Sequence, residues 1–311
     1  MLRLQREFAS ALMPLNIDES KLNGFLAPSG FEPILEKELS GISARYGRLF
    51  LAPSQKVHWA QNIWLDPQII PFQSIGEAAK KLRELQRLWA YYPHASIRRG
   101  ALIQEKLPFF RPKPLIFPFL PPTSPLGSWT LLDDHTLLAS PHSSSLFAHG
   151  EVFFIETKVP PSRAYLKLWE ILTLIGKWPK AGERCLEIGA SPGSWTWALA
   201  ELGAEVVAVD RAPLDPSIAC LPHITFLKKD AFTLQPDANV QWLFSDLICY
   251  PHKLLEWIHP WLELKINIVC TLKFQGEKDY QILTEFEKIE GSDIFRLFHN
   301  KHELTFVRLQ K

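Results

Sequence analysis

Hydrophobic and polar residues follow two different patterns along the chain, and the change falls near Pro161. Beyond it, short runs rich in strand-forming residues alternate with stretches of helical spacing. The predicted helices are 162–177, the stretch ending at Leu202, 252–264 and 277–289, and the predicted strands are RCLEIGA, EVVAVD, ITFLKKD, QWLFSD, INIVCTLKF, DIFRLF and ELTFVRL. This alternation is typical of βαβ units. It predicts an α/β domain over 161–311, with a mostly parallel sheet, helices on both faces and a C-terminal antiparallel hairpin.

The region before residue 107 has a mixed pattern. GFLAPSGFEPILEKELSGI predicts a short strand, a turn and a helix whose apolar residues have helical spacing, namely Phe31, Ile34, Leu35 and Leu39. A second helix is predicted from Ser74 over SIGEAAKKLRELQRLWAYY, where Ser74 and Glu77 fit a Ser-x-x-Glu capping box. Two helices with strands between them predict a small α+β domain over 1–106.

Proline dominates the middle of the chain. The segment LPFFRPKPLIFPFLPPTSP, residues 107–125, can neither continue a helix nor pair as a central strand, so it predicts a linker or an extended strap. After it, SWTLLDDHTLLAS and GEVFFIETKV predict a β-hairpin or small sheet between 127 and 158. We therefore predict a Pro-rich linker and hairpin over 107–160.

Composition agrees with a folded chain of more than one domain. Its 311 residues exceed the size at which one hydrophobic core usually stops growing, about 250–300 residues. A hydrophobic fraction of 47% against 22% charged residues excludes a disordered or fibrous chain. The net charge of +1 excludes a globally basic nucleic-acid binder, so any basic surface must be local.

Several other classes are disfavoured. No segment reaches the roughly 20 consecutive apolar residues of a membrane span, and the start of the chain carries too many charges for a signal peptide. We therefore expect a cytoplasmic protein without membrane association. The ten histidines lack metal-ligand spacing, so no metal is expected. The cysteines lack CxxC spacing, and we expect all four to be buried and reduced: Cys185, Cys220, Cys249 and Cys270.

The segment EIGASPGSWT, residues 187–196, lies where the first strand of the α/β region turns into a helix. Ligands of such sheets bind beyond the carboxyl ends of the strands, where small residues let the backbone approach closely. Asp210 ends the next strand and is placed to hydrogen-bond a ribose diol. These features alone fit either NAD or S-adenosylmethionine.

Pro192 favours the second cofactor. A dinucleotide fingerprint needs G-x-G-x-x-G so that helix amides can meet a pyrophosphate, and Pro192 interrupts this loop and removes an amide. S-adenosylmethionine has a sulfonium cation and no phosphate, so it suits a loop flanked by acids, with Glu187 at the strand end and Asp230 near the adenine. The predicted cofactor-binding residues are Glu187, Gly189, Ser191, Pro192, Gly193, Ser194, Trp195, Asp210, Asp230 and Asp246.

Further motifs follow in order along the same half of the chain. They are SRAYLKL at 162–168, the EIGASPGSWT loop, Ser245-Asp246 at the end of the fourth strand, TLKFQG at 271–276, and Lys301-His302-Glu303 in the last hairpin. With these motifs, residues 160–311 resemble the FtsJ-type RNA 2′-O-ribose methyltransferases. The resemblance implies a Rossmann-like class I methyltransferase domain and a catalytic tetrad at Lys167, Asp246, Lys273 and Glu303.

The tetrad suits the chemistry that the resemblance implies. A ribose 2′-hydroxyl becomes a good nucleophile only when a base beside it takes its proton. A lysine can be that base only when neutral, so its pKa must fall from about 10.4, and burial or a second ammonium group lowers it. We assign Lys273 as the base and Asp246 to orienting it near the methyl group. Lys167 and Glu303 are assigned to positioning the hydroxyl and balancing charge.

The whole chain is similar to the larger bacterial 23S rRNA ribose methyltransferases of the RlmM type. Residues 24–38 resemble the opening of their N-terminal region, and residues 137–168 resemble its hairpin and the following Pro-Ser-Arg segment. The resemblance implies a shortened, THUMP-like RNA-binding region and a cytidine ribose of 23S rRNA as the substrate. Two departures are visible: residues 45–110 have no match, and Ser194 replaces a usual glycine, where we expect it to crowd the methionine end of the cofactor.

A basic segment in the first half also indicates RNA contact. Nine cations fall within 34 residues, interleaved with Trp89, Tyr91 and Tyr92, and such aromatics stack on unpaired bases. The alternative is that the cations on the predicted helix form its solvated face. The nine are Lys80, Lys81, Arg83, Arg87, Arg98, Arg99, Lys106, Arg111 and Lys113.

Two alternative functions remain. The first is a methyltransferase with another nucleic-acid target: the segment after Ser245-Asp246 lacks the Asn/Asp-Pro-Pro-Tyr/Phe loop of amino-group methylation, and nothing near Cys249 would activate it for cytosine C5 methylation. The second is a catalytically silent RNA-binding protein with the same fold. Binding of S-adenosylmethionine would discriminate between them.

Overall fold

Residues 21–110 and 112–310 are described by the computed structural model. The chain divides into two units, of which the first ends at Ile155 and the second begins at Glu156. The elements of the first unit, in chain order, are β1 (Leu22–Leu26), α1 (Glu32–Glu38), β2 (Ala44–Tyr46), β3 (Leu49–Pro53), β4 (Asn62–Leu65), β5 (Gln68–Pro71), α2 (Ile75–Leu85), β6 (Trp89–Tyr91), α3 (Ile97–Gln104), β7 (Gly127–Asp133), β8 (Thr136–Ser140) and β9 (His142–Ser143).

Two sheets organise this unit. One has the order β2-β3-β1-β4-β9 and the other β5-β8-β7-β6. All pairings are antiparallel except β6 with β7. The predicted hairpin at 127–140 forms as β7 and β8, and α2 and α3 cover the second sheet over a core that includes Phe72, Leu82, Trp89, Ile103 and Trp129. The first unit therefore contains both helices and strands, with more strands than predicted, and its sheets include β7–β9 from the segment predicted as linker and hairpin.

The helix predicted from Ser74 to Tyr92 is too long. The helix ends at Leu85, and Trp89–Tyr91 pairs with β7 instead. The Trp89 indole donates to the carbonyls of Leu82 at 3.0 Å and Gln86 at 2.8 Å, which ties the strand to the end of the helix. At the other end, the Ser74 hydroxyl accepts from the amide of Glu77, and the Glu77 carboxylate accepts from the amide of Gln73 at 2.8 Å.

The strand predicted in GEVFFIETKV is wrong. Across the described residues of this stretch, the only ladder contact is an isolated parallel bridge between Leu115 and Phe154. Leu115 belongs to the Pro-rich segment, which lacks regular helix or strand where it is described. The absence of helix and of a central strand from the described part of this segment agrees with its proline content.

The second unit contains a seven-stranded sheet. Its elements are α4 (Tyr165–Ile175), β10 (Arg184–Ile188), α5 (Ser194–Glu201), β11 (Glu205–Asp210), α6 (Pro216–Ala219), β12 (Ile224–Lys228), β13 (Trp242–Ser245), α7 (Pro251–Ile258), β14 (Asn267–Lys273), α8 (Leu283–Glu287), β15 (Ser292–Phe295) and β16 (Glu303–Arg308). Short 3₁₀ segments occupy 231–233, His259–Glu263 and Glu277–Ile282. Each of the two predicted helices, 252–264 and 277–289, is therefore part α-helix and part 3₁₀-helix.

The order of this sheet is β12-β11-β10-β13-β14-β16-β15. The first five strands are parallel, and β16 lies antiparallel between β14 and β15. The predicted α/β class, with a parallel sheet and a terminal antiparallel hairpin, is confirmed. The first six residues of β14 are buried, as expected for a central strand covered on both faces. Within the described residues, no helix has the length and apolarity needed to cross a membrane.

Candidate functional site

The carboxyl ends of the parallel strands bring the predicted chemistry to one edge of the second unit's sheet. Asp210 ends β11, Asp246 follows β13, and Lys273 ends β14. The loop beginning at Gly189 follows β10, which lies between β11 and β13. This is the edge at which open α/β sheets bind ligands.

Lys167 joins this edge from α4. Its ammonium lies 3.0 and 3.1 Å from the two carboxylate oxygens of Asp246, which is 79 positions further along the chain. The same Nζ lies 3.0 Å from Oε1 of Glu303. Lys167 is 9% exposed and Glu303 7% exposed, so this cation is enclosed between two carboxylates.

Lys273 completes the group from the opposite side of Asp246. Its Nζ lies 3.0 Å from Asp246 Oδ1, the oxygen that Lys167 also contacts, and it donates to the backbone carbonyl of Asp246. Its side chain is 22% exposed, against 11% for Lys167. The structure therefore brings together all four residues of the predicted tetrad, Lys167, Asp246, Lys273 and Glu303.

The charges around Lys167 and Asp246 keep these two side chains ionised. Burial alone would lower the pKa of Lys167, but the carboxylates of Asp246 and Glu303 outweigh it and raise that pKa. Burial alone would raise the pKa of Asp246, but the two lysines outweigh it and lower that pKa. Two ammonium groups thus balance two carboxylates at the sheet edge.

Glu170, one turn after Lys167 on α4, was missed by the sequence reasoning. It is 1% exposed, and its carboxylate accepts from the backbone amides of Phe298 and His299 at 2.7 and 2.9 Å. The His299 Nδ1 lies 2.7 Å from the same carboxylate. These residues belong to the turn that leads into β16, so Glu170 fixes the segment that delivers Glu303. A buried acid in an otherwise apolar stretch of α4 was the available signal.

The two glycines of the loop after β10 are required by close packing. Gly189 has φ +72°, and a Cβ there would lie 2.6 Å from the Cα of Leu247. Gly193 has φ +114°, and a Cβ there would lie 2.9 Å from Ile218. Both combine a left-handed conformation with contact distances that a side chain could not keep. The loop is therefore seated directly against the segment that follows Asp246.

Asp210 aligns this loop. One carboxylate oxygen accepts from the Ser191 amide at 3.0 Å, and the other accepts from the Ala212 amide at 2.9 Å. The Ser191 hydroxyl donates to the carbonyl of Pro213, and the Pro192 carbonyl accepts from the amide of Asp215. Each oxygen of Asp210 keeps a second lone pair.

Ser194 does not stand free in the loop. Its hydroxyl accepts from the Ser162 amide at 3.0 Å and lies 2.8 Å from the Ser162 hydroxyl. Beside it, the Trp195 indole donates to the Ala164 carbonyl at 2.9 Å. Both side chains join the start of α5 to the segment that precedes α4. The residue expected to crowd the cofactor is thus a link between two parts of the site.

The other two predicted acids are bonded within the protein. Glu187 is 1% exposed and accepts from the Thr196 hydroxyl at 2.6 Å, and its burial raises its pKa to about 8. Asp230 is exposed and accepts from the amide of Phe232 in its own turn. Asp210 and Asp246 lie at the strand ends beside the loop backbone, and Asp246 is paired there with Lys167 and Lys273.

The prediction that all four cysteines are buried holds for two of them. All four thiols are free, with Cys185 and Cys270 buried and Cys249 half-buried, but Cys220 is exposed. Burial raises the pKa of the Cys249 thiol, which disfavours it as a nucleophile. Among the described residues, no cluster of His, Cys, Asp or Glu has the arrangement of a metal site.

The basic segment of the first unit is partly neutralised by its own neighbours. On α2, Lys80 lies 3.9 Å from Glu84 and Lys81 lies 2.8 Å from Glu77, both at helical i,i+4 spacing. Arg83 donates to the carbonyl of Lys106. For these α2 cations the solvated helix face is the better interpretation.

A cavity of about 150 Å³ lies within the first unit. Its lining includes no lysine and no aspartate, so it cannot form a Lys-Asp-Lys-Glu group like that of the second unit. It is lined by Trp89, Ala90, Tyr91, Gln104, Phe110, Pro112, Ala148, His149, Glu151 and Phe153.

Comparison with known proteins gives one family match, to FtsJ-like methyltransferase over residues 160–277. The Ribosomal RNA large subunit methyltransferase M of Azoarcus sp. (strain BH72) is 32% identical over 170 residues, which are 49% of this chain and 47% of that protein. The protein of the same name from Halorhodospira halophila is 38% identical over 155 residues, 47% of this chain and 46% of that protein. The chain spans about half the length of these curated relatives. The predicted resemblance is confirmed.

Solved structures give a weaker likeness. An rRNA methylase from Streptococcus thermophilus is 15% identical, with a TM-score of 0.33, and the match covers 42% of this chain and 89% of that one.

Proposed function

Starting from the match of residues 160–277 to the FtsJ-like methyltransferases, we propose that this protein transfers a methyl group from S-adenosylmethionine to a ribose 2′-hydroxyl of RNA. The observation that carries the proposal is the sharing of Asp246 Oδ1 by Lys167 and Lys273, each at 3.0 Å. This cluster lies at the sheet edge beside the glycine loop, where a donor and an acceptor can meet.

The surroundings of the two lysines support different roles for them. Lys167 contacts two carboxylates, which raise its pKa, so it stays charged and cannot accept a proton. Lys273 has a single carboxylate partner in Asp246 among the described ion pairs and is the more exposed lysine. Lys273 is therefore the base, and its amine takes the proton of the 2′-hydroxyl.

Charge balance favours that proton transfer. When Lys273 is neutral, the tetrad holds one ammonium against two carboxylates and carries a net negative charge. A proton arriving on Lys273 returns the cluster to neutrality. Asp246 orients the Lys273 amine, while Lys167 holds Asp246 and Glu303 in place through contacts of 3.0 Å.

Asp210 and the backbone of residues 189–195 would hold the cofactor. When bound, S-adenosylmethionine supplies an electrophilic methyl group on a sulfonium cation. Asp210 keeps lone pairs for a ribose diol while its oxygens order the loop. Asp246 lies at the same edge, where Lys167 and Lys273 hold its carboxylate.

For the substrate, we propose large-subunit ribosomal RNA, and within it a cytidine ribose of 23S rRNA, modified in the cytoplasm. The curated relatives carry the name Ribosomal RNA large subunit methyltransferase M, which supports this choice. We further propose that residues 1–106 form a shortened THUMP-like RNA-binding region, followed by the Pro-rich segment and hairpin of 107–160. Exposed cations at Arg98, Lys106 and Lys113 support RNA contact there.

The decisive experiment maps ribose methylation in rRNA by mass spectrometry, in cells with and without this protein. We expect one 2′-O-methylated nucleotide of 23S rRNA to disappear and to return with the wild-type protein but not with Lys273→Ala. An unchanged methylation map would exclude rRNA as the substrate. A lost base methylation with intact ribose methylation would indicate a different methyltransferase.

A further inference from the structure

An exposed apolar and aromatic loop follows directly after Asp246. Ile248 is 81% exposed and Tyr250 is 46% exposed, and in the described part of the second unit only Val159, at 62%, is a comparably exposed large hydrophobic side chain. Tyr250 is four residues from Asp246 and immediately precedes α7. An exposed ring this close to the tetrad has no packing role in the core, so it is available to a ligand.

The Tyr250 ring is already arranged for stacking. Its centroid lies 5.6 Å from that of His252, with 27° between the ring planes. Between them, Pro251 is buried at the first position of α7, and its fixed φ restrains the two neighbours. A planar pair on a restrained backbone loses little freedom when a third planar group stacks on it.

The loop is fastened at its other end to the cofactor loop. The Leu247 backbone packs so closely against Gly189 that a Cβ on the glycine would lie 2.6 Å from the Leu247 Cα. The Leu247 amide also donates to the Ser245 hydroxyl at 3.4 Å. Because both ends are fixed, the exposed side chains between them keep a constant relation to Asp246.

Positive charge accompanies the rings. Lys253 is exposed in the first turn of α7, with its Nζ 4.0 Å from the centroid of the Phe232 ring. The half-buried Cys249, next to Tyr250, lies within the electrostatic influence of both Lys273 and Lys253. Aromatic surface next to a cation is the combination that binds unpaired nucleotides, through base stacking and phosphate contact.

We propose that Tyr250 and His252 form a stacking platform for an unpaired base of the RNA substrate, next to the ribose that the tetrad holds. The inference rests on the proposed function and adds to it the chemical class recognised at the mouth of the site. A stacked base at this position fixes the nucleotide relative to Asp246, which the tetrad alone would not do. Stacking is tolerant of sequence, so the platform selects single-stranded over paired RNA.

The test uses the full chain and measures RNA binding and methyl transfer in separate experiments. S-adenosylhomocysteine is present in the binding experiment. The probe is a fluorescein-labelled ten-nucleotide single-stranded RNA, with its duplex as comparison. We expect Tyr250→Ala to weaken binding of the single strand about tenfold and Tyr250→Phe to keep wild-type binding. His252→Ala should weaken binding, whereas His259→Ala, an exposed histidine just after the end of α7, should leave it unchanged.

The two proposals fail in different ways. The platform is overturned if Tyr250→Ala binds single-stranded RNA as tightly as wild type while its cofactor affinity and thermal unfolding are also unchanged. This conclusion holds whether or not the protein methylates ribose. Weakened RNA binding in this variant, in a protein that methylates no ribose, supports the platform and overturns the proposed reaction. In an active enzyme we expect Tyr250→Ala to raise KM for RNA about tenfold with a smaller change in kcat.

Discussion

Lys273 and Glu303 are Cα partners across the antiparallel strands β14 and β16, yet the Glu303 carboxylate contacts Lys167, at 3.0 Å. The register of two strands therefore places a lysine and a glutamate at the same level of the sheet, and a helix supplies the cation between the carboxylates of Asp246 and Glu303. A one-residue slip of β16 would turn Glu303 to the other face. The geometry of the site is in this sense a property of strand pairing.

Replacing Lys273 should remove the reaction and leave cofactor binding intact. We expect Lys273→Ala to lower kcat by at least 10²-fold, which is the usual contribution of a positioned base. Cofactor affinity, measured by calorimetry, should stay within about twofold because Lys273 contacts Asp246 and not the glycine loop. Lys301→Ala, at an exposed lysine of the turn before β16, is the matched control and should remain fully active. Activity retained in Lys273→Ala would remove this residue from the mechanism.

The buried Glu187 should make stability depend on pH. Burial raises its pKa from 4.5 to about 8, so the folded state keeps the proton while the unfolded chain releases it above about pH 4.5. The stability due to this group is fully present below pH 4.5 and is lost as pH rises to about 8.

Glu187→Gln, which stays neutral, should therefore gain stability relative to wild type by a few kcal/mol between pH 4.5 and 8. The measurement is urea unfolding of both proteins at pH 4.5 and pH 8. If the two proteins differ in free energy of unfolding by the same amount at both pH values, the pKa of Glu187 is not raised and the side chain is ionised in the folded protein at pH 8.

Asp210 should matter for cofactor binding because it orders the loop and faces its edge. We expect Asp210→Ala to weaken S-adenosylmethionine binding by about 1–3 kcal/mol, the scale of losing hydrogen bonds to a charged partner. Asp237→Ala is the matched control, since Asp237 also accepts from an amide in its own turn but ends no strand of the sheet. Unchanged calorimetric affinity in Asp210→Ala would place the cofactor elsewhere.

Glu170 should act on the tetrad through the turn that it binds. We expect Glu170→Gln to speed hydrogen exchange at the amides of Phe298 and His299, because a charged acceptor is replaced by a weaker one. The kcat should fall while cofactor affinity stays constant. Glu256→Ala, on the exposed face of α7, provides the control for both measurements. Unchanged exchange in the turn would show that other contacts hold it.

Much of the second unit was predictable because its signals are local. Alternating apolar runs predicted every strand of the sheet, whereas the tetrad was implied by the family resemblance; the common edge at which parallel strands end explains why Asp246 and Lys273 meet. What the pattern could not give was Glu170, whose partner Phe298 is 128 positions away. Long-range hydrogen bonds leave no periodicity in a single sequence.

The first unit was harder to predict for a different reason. The run Leu88–Tyr92 is apolar and aromatic, which suits a helix end and a strand equally well. Trp89–Tyr91 forms a strand because it pairs with β7, which lies far along the chain at Gly127–Asp133. The helix α3 was missed because its charged residues Arg98 and Arg99 hide a short apolar face.

The position of β16 has a consequence for how the molecule is made. Translation produces β15 before β16, yet β16 ends up inside the sheet, between β14 and β15. Until β16 has left the ribosome, β14 keeps an open hydrogen-bonding edge. A nascent chain that is stalled before Glu303 would carry the glycine loop and both lysines but would lack the second carboxylate, so methyl transfer should switch on only when synthesis has passed this strand.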